Sequence, residues 1–176
     1  MSEIADPNQP ETGIAVPAPT VGESEVEGAE AMAEEMEEIE ELTAEAPLVG
    51  IIMGSKNDME KMEPAEKYLK EEGILCEVRV MSAHRDPETV RDYCMNARMR
   101  GMRVIIAGAG MSAALPGVAA AHTDLPVIGV PILGKSLGGL DALLSAVQMP
   151  PGIPVACVAI DGAKNAGVLA KRIINA

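Results

Sequence analysis

Five short, almost uninterrupted apolar runs recur along residues 48–176, each separated from the next by a stretch with helical spacing. The first is Leu-Val-Gly-Ile-Ile-Met-Gly, from Leu48 to Gly54, and others follow at Cys76–Met81, Met102–Ala107, Pro126–Val130 and Val155–Ile160. A brief apolar run without polar alternation describes a strand covered on both faces. The segments with helical spacing are Met59–Glu72, Pro87–Arg100, Ala113–Ala121 and Leu137–Val147, with Asn165–Asn175 closing the chain. Strands alternating with helices predict right-handed crossovers, a parallel sheet of five or slightly more strands, and helices on both faces. The expected fold class is therefore α/β, a three-layer αβα sandwich. Such sheets bind ligands outside the carboxyl ends of their strands, so chemistry is to be sought in the loops that follow each run.

A chain of 176 residues suits one domain with a real core. It has no Phe, no Trp and only two Tyr, so Leu, Ile, Val, Ala and twelve Met must fill the interior, which favours close packing of helices on the sheet. The net charge of −13 is unevenly placed: residues 1–46 hold fourteen Asp and Glu with no Lys or Arg, and the remainder is nearly neutral. Residues 1–46 are expected to be an acidic, disordered extension, with Met36, Ile39 and Leu42 as a sparse apolar stripe, and residues 47–176 the α/β domain. An acidic tail and no clustered basic face make nucleic acid and anionic lipid poor partners. No apolar segment reaches the roughly 18 residues of a membrane span and no secretory leader pattern is present, so a cytoplasmic location is the expectation. Cys76, Cys94 and Cys157 are widely separated and read as reduced thiols, and neither they nor the two histidines have metal-ligand spacing, so no metal is expected.

The loop after the first run reads Gly54-Ser55-Lys56-Asn57-Asp58 and enters a helix. A glycine, a hydroxyl and free N–H groups at a helix start describe either an anion site or an ordinary turn with Asp58 as its cap. It has the spacing of neither a P-loop nor a dinucleotide fingerprint. The second loop, Ser82-Ala83-His84-Arg85-Asp86-Pro87, gathers a hydroxyl, an imidazole and a guanidinium at a strand's carboxyl end. Arginine suits bidentate phosphate binding and histidine suits proton transfer near neutrality. The third loop, Ala107-Gly108-Ala109-Gly110-Met111-Ser112-Ala113-Ala114-Leu115-Pro116-Gly117, offers backbone donors and a close wall but no acid or base. The fourth, Pro131–Ser136, together with Gly138-Gly139-Leu140-Asp141, is a candidate flap. His122, near a helix end, is expected to have no role in chemistry.

IIMGSKND, VMSAHRDP, VIIAGAGMSAALPG, LPVIGVP, GGLDALLSAVQMPPGIPVA and KNAGVLAKRI resemble, in order and spacing, the class I N5-carboxyaminoimidazole ribonucleotide mutases, the PurE family. The resemblance covers nearly all of residues 48–176. It implies a flavodoxin-like sandwich assembled as a homo-octamer, with no cofactor and no metal. It implies a place in de novo purine biosynthesis, with an aminoimidazole ribonucleotide and CO2 as the small molecules handled and the ATP-dependent N5-carboxyaminoimidazole ribonucleotide synthase as a partner enzyme. Carried over by position, His84 would be the proton carrier. Ser55, Asn57, Asp58, Ser82 and Arg85 would bind substrate, with Arg85 and Ser82 on its phosphate and Asp58 on its ribose. Ala107, Gly108, Ala114 and Leu115 would wall the ring and CO2.

Two departures stand out. Asn57 replaces a family serine, and Ala114 replaces a family histidine before Leu-Pro-Gly. Three alternatives remain open on the sequence: an aminoimidazole ribonucleotide carboxylase using free CO2, a carboxylase of a nicotinic acid dinucleotide as in nickel-pincer cofactor synthesis, and a non-catalytic ribonucleotide-binding paralogue.

Overall fold

The computed structural model describes Met32, Met36 and residues 46–176. The chain divides into two units, Met1–Glu40 and Glu41–Ala176. Of the first, Met32 and Met36 are helical and exposed; the expected acidic extension and the rest of its apolar stripe lie outside the described residues.

Five strands form one parallel sheet in the order β2-β1-β3-β4-β5. They are β1 (Val49–Met53), β2 (Cys76–Val80), β3 (Val104–Gly110), β4 (Val127–Ile132) and β5 (Ala156–Cys157). Five α-helices connect or follow them: α1 (Met59–Glu71), α2 (Pro87–Asn96), α3 (Ala114–Ala121), α4 (Leu140–Val147) and α5 (Ala163–Ile174). The doubly wound α/β expectation therefore holds, with β1 and β3 adjacent where the strand order reverses.

Strand side chains alternate between two cores, as the two-residue period of a pleated strand requires. Val49, Ile51 and Met53 of β1 join Val104, Ile106, Ile128 and Val130 against Met62, Ala65 and Leu69 of α1 and Ala163, Ala166 and Ala170 of α5. Ile52, Ile105, Ala107 and Val127 face the other way, toward Val90 and Cys94 of α2, Leu115 and Ala119 of α3, and Ala142 of α4. The small residues matter for spacing. A Cβ on Gly167 of α5 would stand 3.2 Å from the Ala65 carbonyl oxygen, so the α1–α5 contact is close because nothing larger intervenes.

Several elements differ from the sequence reading. β2 is an edge strand paired only with β1, and Arg79 and Val80 are exposed, so it is not covered on both faces. β3 runs on to Gly110, because β1 and β4 flank it on both sides and its register with β4 extends to Gly110 opposite Ile132. β5 keeps only two residues: at the far edge it has β4 alone to pair with, and Asp161 turns the chain at φ 55°. The expected helix Leu137–Val147 is broken by Gly138 and Gly139 at φ 60° and 82°, leaving a short 3-10 turn before α4.

Candidate active site

The loops after β1, β2, β3 and β4 surround a cavity of about 940 Å³ at the carboxyl edge of the sheet. Its position follows from topology: chains leaving β1 and β3 depart toward opposite faces and open a crevice between them. Gly108 tightens its base. A Cβ there would fall 2.4 Å from the Met62 sulfur, so the Met62 side chain of α1 packs directly over β3 at this point.

The β1 loop folds as a 3-10 turn, Lys56–Asp58, leading into α1. Ser55 caps this turn, its Oγ accepting from the Asn57 N–H at 3.2 Å. Asp58 was expected to be the cap, but its side chain makes no capping hydrogen bond. Ser55 caps only the preceding turn, and the Asp58 carboxylate lies on the cavity wall. Burial raises the Asp58 carboxyl above its ordinary range, and a backbone hydrogen bond from Ser55 and the nearby Arg85 charge offset part of that effect.

After β2 the chain forms a compact turn in which Arg85 and Asp86 N–H groups both donate to the Ser82 carbonyl, at 3.2 and 2.9 Å. Asp86 then caps α2, accepting from the Thr89 N–H at 3.2 Å and from its hydroxyl at 2.6 Å, with Pro87 in the first turn. Fixed between those anchors, Ser82, His84 and Arg85 reach the cavity. The Arg85 guanidinium donates to the Gly54 carbonyl at 2.5 Å, which joins the β2 loop to the β1 loop.

The structure thus brings Ser55, Asn57, Asp58, Ser82, His84, Arg85, Ala114 and Leu115 to one cavity. Ala107 and Gly108 are fully within β3 and buried, and the cavity wall nearest them is formed instead by Ala109, Gly110, Met111 and Ser112. His84 is the only imidazole on the wall; His122 ends α3 elsewhere. Three cations, Lys61, Arg85 and Lys135, line the cavity against one carboxylate, Asp58, a balance suited to an anionic ligand and opposite to the sign of the whole chain. Among the described residues no group of three or more His, Cys, Asp and Glu is placed to hold a metal ion, and no helix is long and apolar enough to cross a membrane.

Residues 48–176 match the family model described as AIR carboxylase. The chain belongs to the AIR carboxylase family. Over 129 residues it is 61% identical to the N5-carboxyaminoimidazole ribonucleotide mutase of Aquifex aeolicus, covering 73% of this chain and 77% of that protein. The mutase of Pyrococcus horikoshii is 58% identical over 133 residues, 76% of this chain and 75% of its own. The crystal structure of Treponema denticola PurE superposes with a TM-score of 0.66 at 36% identity, covering 73% of this chain and 80% of that one.

Within this AIR carboxylase domain, the sequence reading missed one lining cation, Lys61, and the residue that anchors it, Asp161. Lys61 lies three residues beyond Asp58 on the same side of α1, a spacing that could have drawn attention to it. Its ammonium donates to Asp161 Oδ2 at 2.6 Å, across 100 residues of sequence. Nothing local marks Asp161, because its partners come from α1 and from the β4 loop.

Proposed function

We propose that this domain converts N5-carboxyaminoimidazole ribonucleotide to its C4-carboxylated isomer, a step of de novo purine synthesis. The observation that carries the reading is the convergence of His84, Arg85, Ser82, Ser55 and Asp58 on one cavity in a chain of the AIR carboxylase family. Arg85 and Ser82 hold the phosphate, and the Asp58 carboxylate accepts from ribose hydroxyls. The backbone around Ala109–Ser112, with Ala114 and Leu115, walls the ring and CO2.

The chemistry needs one proton carrier. With His84 protonated, the N–COO⁻ bond breaks, its electron pair returns to nitrogen as His84 gives the proton, and CO2 is released into the cavity. Ring carbon C4 attacks that CO2 to form the new carbon–carbon bond. His84, left neutral by the first step, removes the C4 proton and is protonated again, so no redox partner is required. Retaining CO2 beside C4 replaces an encounter in solution with an intramolecular one. Ala114 leaves His84 as the cavity's only imidazole, which is sufficient because the two proton transfers are sequential.

The test is to supply N5-carboxyaminoimidazole ribonucleotide without ATP or added bicarbonate and follow the C4-carboxylated product. Rapid conversion is expected; product formed only from aminoimidazole ribonucleotide and bicarbonate would make the protein a free-CO2 carboxylase instead.

A homo-octamer in the cytoplasm, supplied by the ATP-dependent synthase, completes the proposal. Exposed Leu140, Leu144 and Val147 follow one another at helical spacing along α4, with exposed Leu137 on the turn before it, and support self-association. Light scattering on the purified protein would return the mass of one chain if that reading were wrong.

A further inference from the structure

Arg85 and Lys61 mark two separate points of the cavity. The Arg85 guanidinium reaches Gly54 at the end of β1 from the β2 side. The Lys61 ammonium leans the other way, to Asp161, which follows β5 and also accepts from the Leu133 N–H beyond β4 at 3.0 Å. In the order β2-β1-β3-β4-β5, β1 and β4 are two strand spacings apart, roughly 10 Å. A ligand bridging both points would need two anionic groups, one at each end.

Asp161 is built to hold Lys61 in place. Its two carboxylate oxygens are taken by Lys61 and by the Leu133 N–H, its own N–H donates to the Pro131 carbonyl at 2.9 Å, and its backbone is held at φ 55°. Lys61 has three N–H donors and spends one on Asp161, so two remain for a ligand. The hydrogen bond and charge of Asp161 also keep the ammonium protonated above its ordinary range. Lys135 is a weaker candidate: it lies on the exposed β4 loop and makes no ion pair among the described residues.

We infer that Lys61, positioned by Asp161, is the second anion-binding point of the cavity and holds the carboxylate of the C4-carboxylated ring while Arg85 holds the phosphate. The inference rests on the ribonucleotide reading given above. It makes Lys61 a determinant of specificity: the residue distinguishes the carboxylated ribonucleotide from the same molecule without its carboxyl group.

The test is calorimetric titration of the full chain with aminoimidazole ribonucleotide and, separately, with its C4-carboxylated form, which differ only in that carboxylate. Lys61→Gln should lose about tenfold in affinity for the carboxylated ligand and stay within about twofold for the other, a selective loss that Lys61→Arg should largely restore. Arg85→Gln should weaken both. Equal loss of both ligands in Lys61→Gln would overturn the inference, placing Lys61 on the phosphate or in a purely structural role, and no loss of either would overturn it too. Failure of the unmodified protein to bind either ligand would instead sink the ribonucleotide reading, and this inference with it.

Discussion

His84 is carried by a turn tied at both ends, by the Ser82 carbonyl behind it and the Asp86 cap ahead. A substitution there removes an imidazole from an exposed position and leaves those anchors intact, so its effect should be on chemistry alone. His84→Asn is expected to slow conversion by about 10²- to 10⁴-fold with an unchanged unfolding midpoint; activity near that of the unmodified protein would remove His84 from the mechanism. Met111 presents the opposite case. It is a bulky residue on the cavity rim at φ 55°, where only glycine is free of strain, and it is largely exposed. Met111→Gly should raise stability by about 1 kcal/mol by relieving the left-handed backbone, measured by urea unfolding; a loss of stability would mean that the Met111 side chain holds the loop. Asp58 carries a cost in its side chain. Because burial raises its carboxyl, its ionised form is less comfortable folded than unfolded. Asp58→Asn should therefore raise the melting temperature near neutral pH while weakening ribonucleotide binding.

At the scale of elements, the site depends on how α1 is seated on the sheet, where its Met62 side chain reaches over β3. Gly108 bears on that approach, since the space its missing Cβ leaves is filled by the buried Met62 side chain of α1. Gly108→Ala should cost about 1–3 kcal/mol of stability by overpacking, and should also raise the KM, because Asp58 and Lys61 ride on the turn and helix that would be displaced. A stable variant with unchanged KM would show that α1 can shift without moving the site. The loops after β3, β4 and β5 each contain one non-glycine residue at positive φ, Met111, Leu137 and Asp161. Such strain persists only where surrounding structure enforces it. Here two of the three belong to the cavity wall or to the residue that anchors Lys61.

For the molecule as a whole, acid should be destabilising through a small set of carboxylates. Burial alone would raise Glu77, but hydrogen bonds from Arg79 and Arg100 and the charges of both outweigh it, and its carboxyl lies below the ordinary range. Asp86 is lowered by its Thr89 hydrogen bonds, and Asp161 is lowered by Lys61 and the Leu133 N–H in spite of partial burial. A carboxyl depressed on folding contributes stability above its unfolded value, and that contribution is lost as pH falls through the folded value. The melting temperature should thus be flat near neutrality and fall below about pH 4, with a shallower fall in Glu77→Gln. An equal slope in that variant would exclude the β2 edge cluster as a source. The thiols follow a different rule: burial pushes Cys94 up to about 11 and raises Cys76 and Cys157, so none is a ready nucleophile at neutral pH.

The sequence by itself determined the sheet, its helical crossovers and the edge at which chemistry would be found, because those follow from apolar periodicity and the handedness of connections, both local properties of the chain. It also singled out His84 and Arg85, since two chemically capable side chains stand together in one loop. Tertiary structure alone decided what depends on neighbours distant in sequence. β3 outran its apolar run because strands on both sides completed its hydrogen bonds, and the Asp58 side chain lines the cavity instead of capping α1. Lys61 and Asp161 became partners only when α1 and α5 packed side by side on one face of the sheet. A contact across 100 residues leaves no periodicity to read, and its energy exists only after the intervening chain has folded.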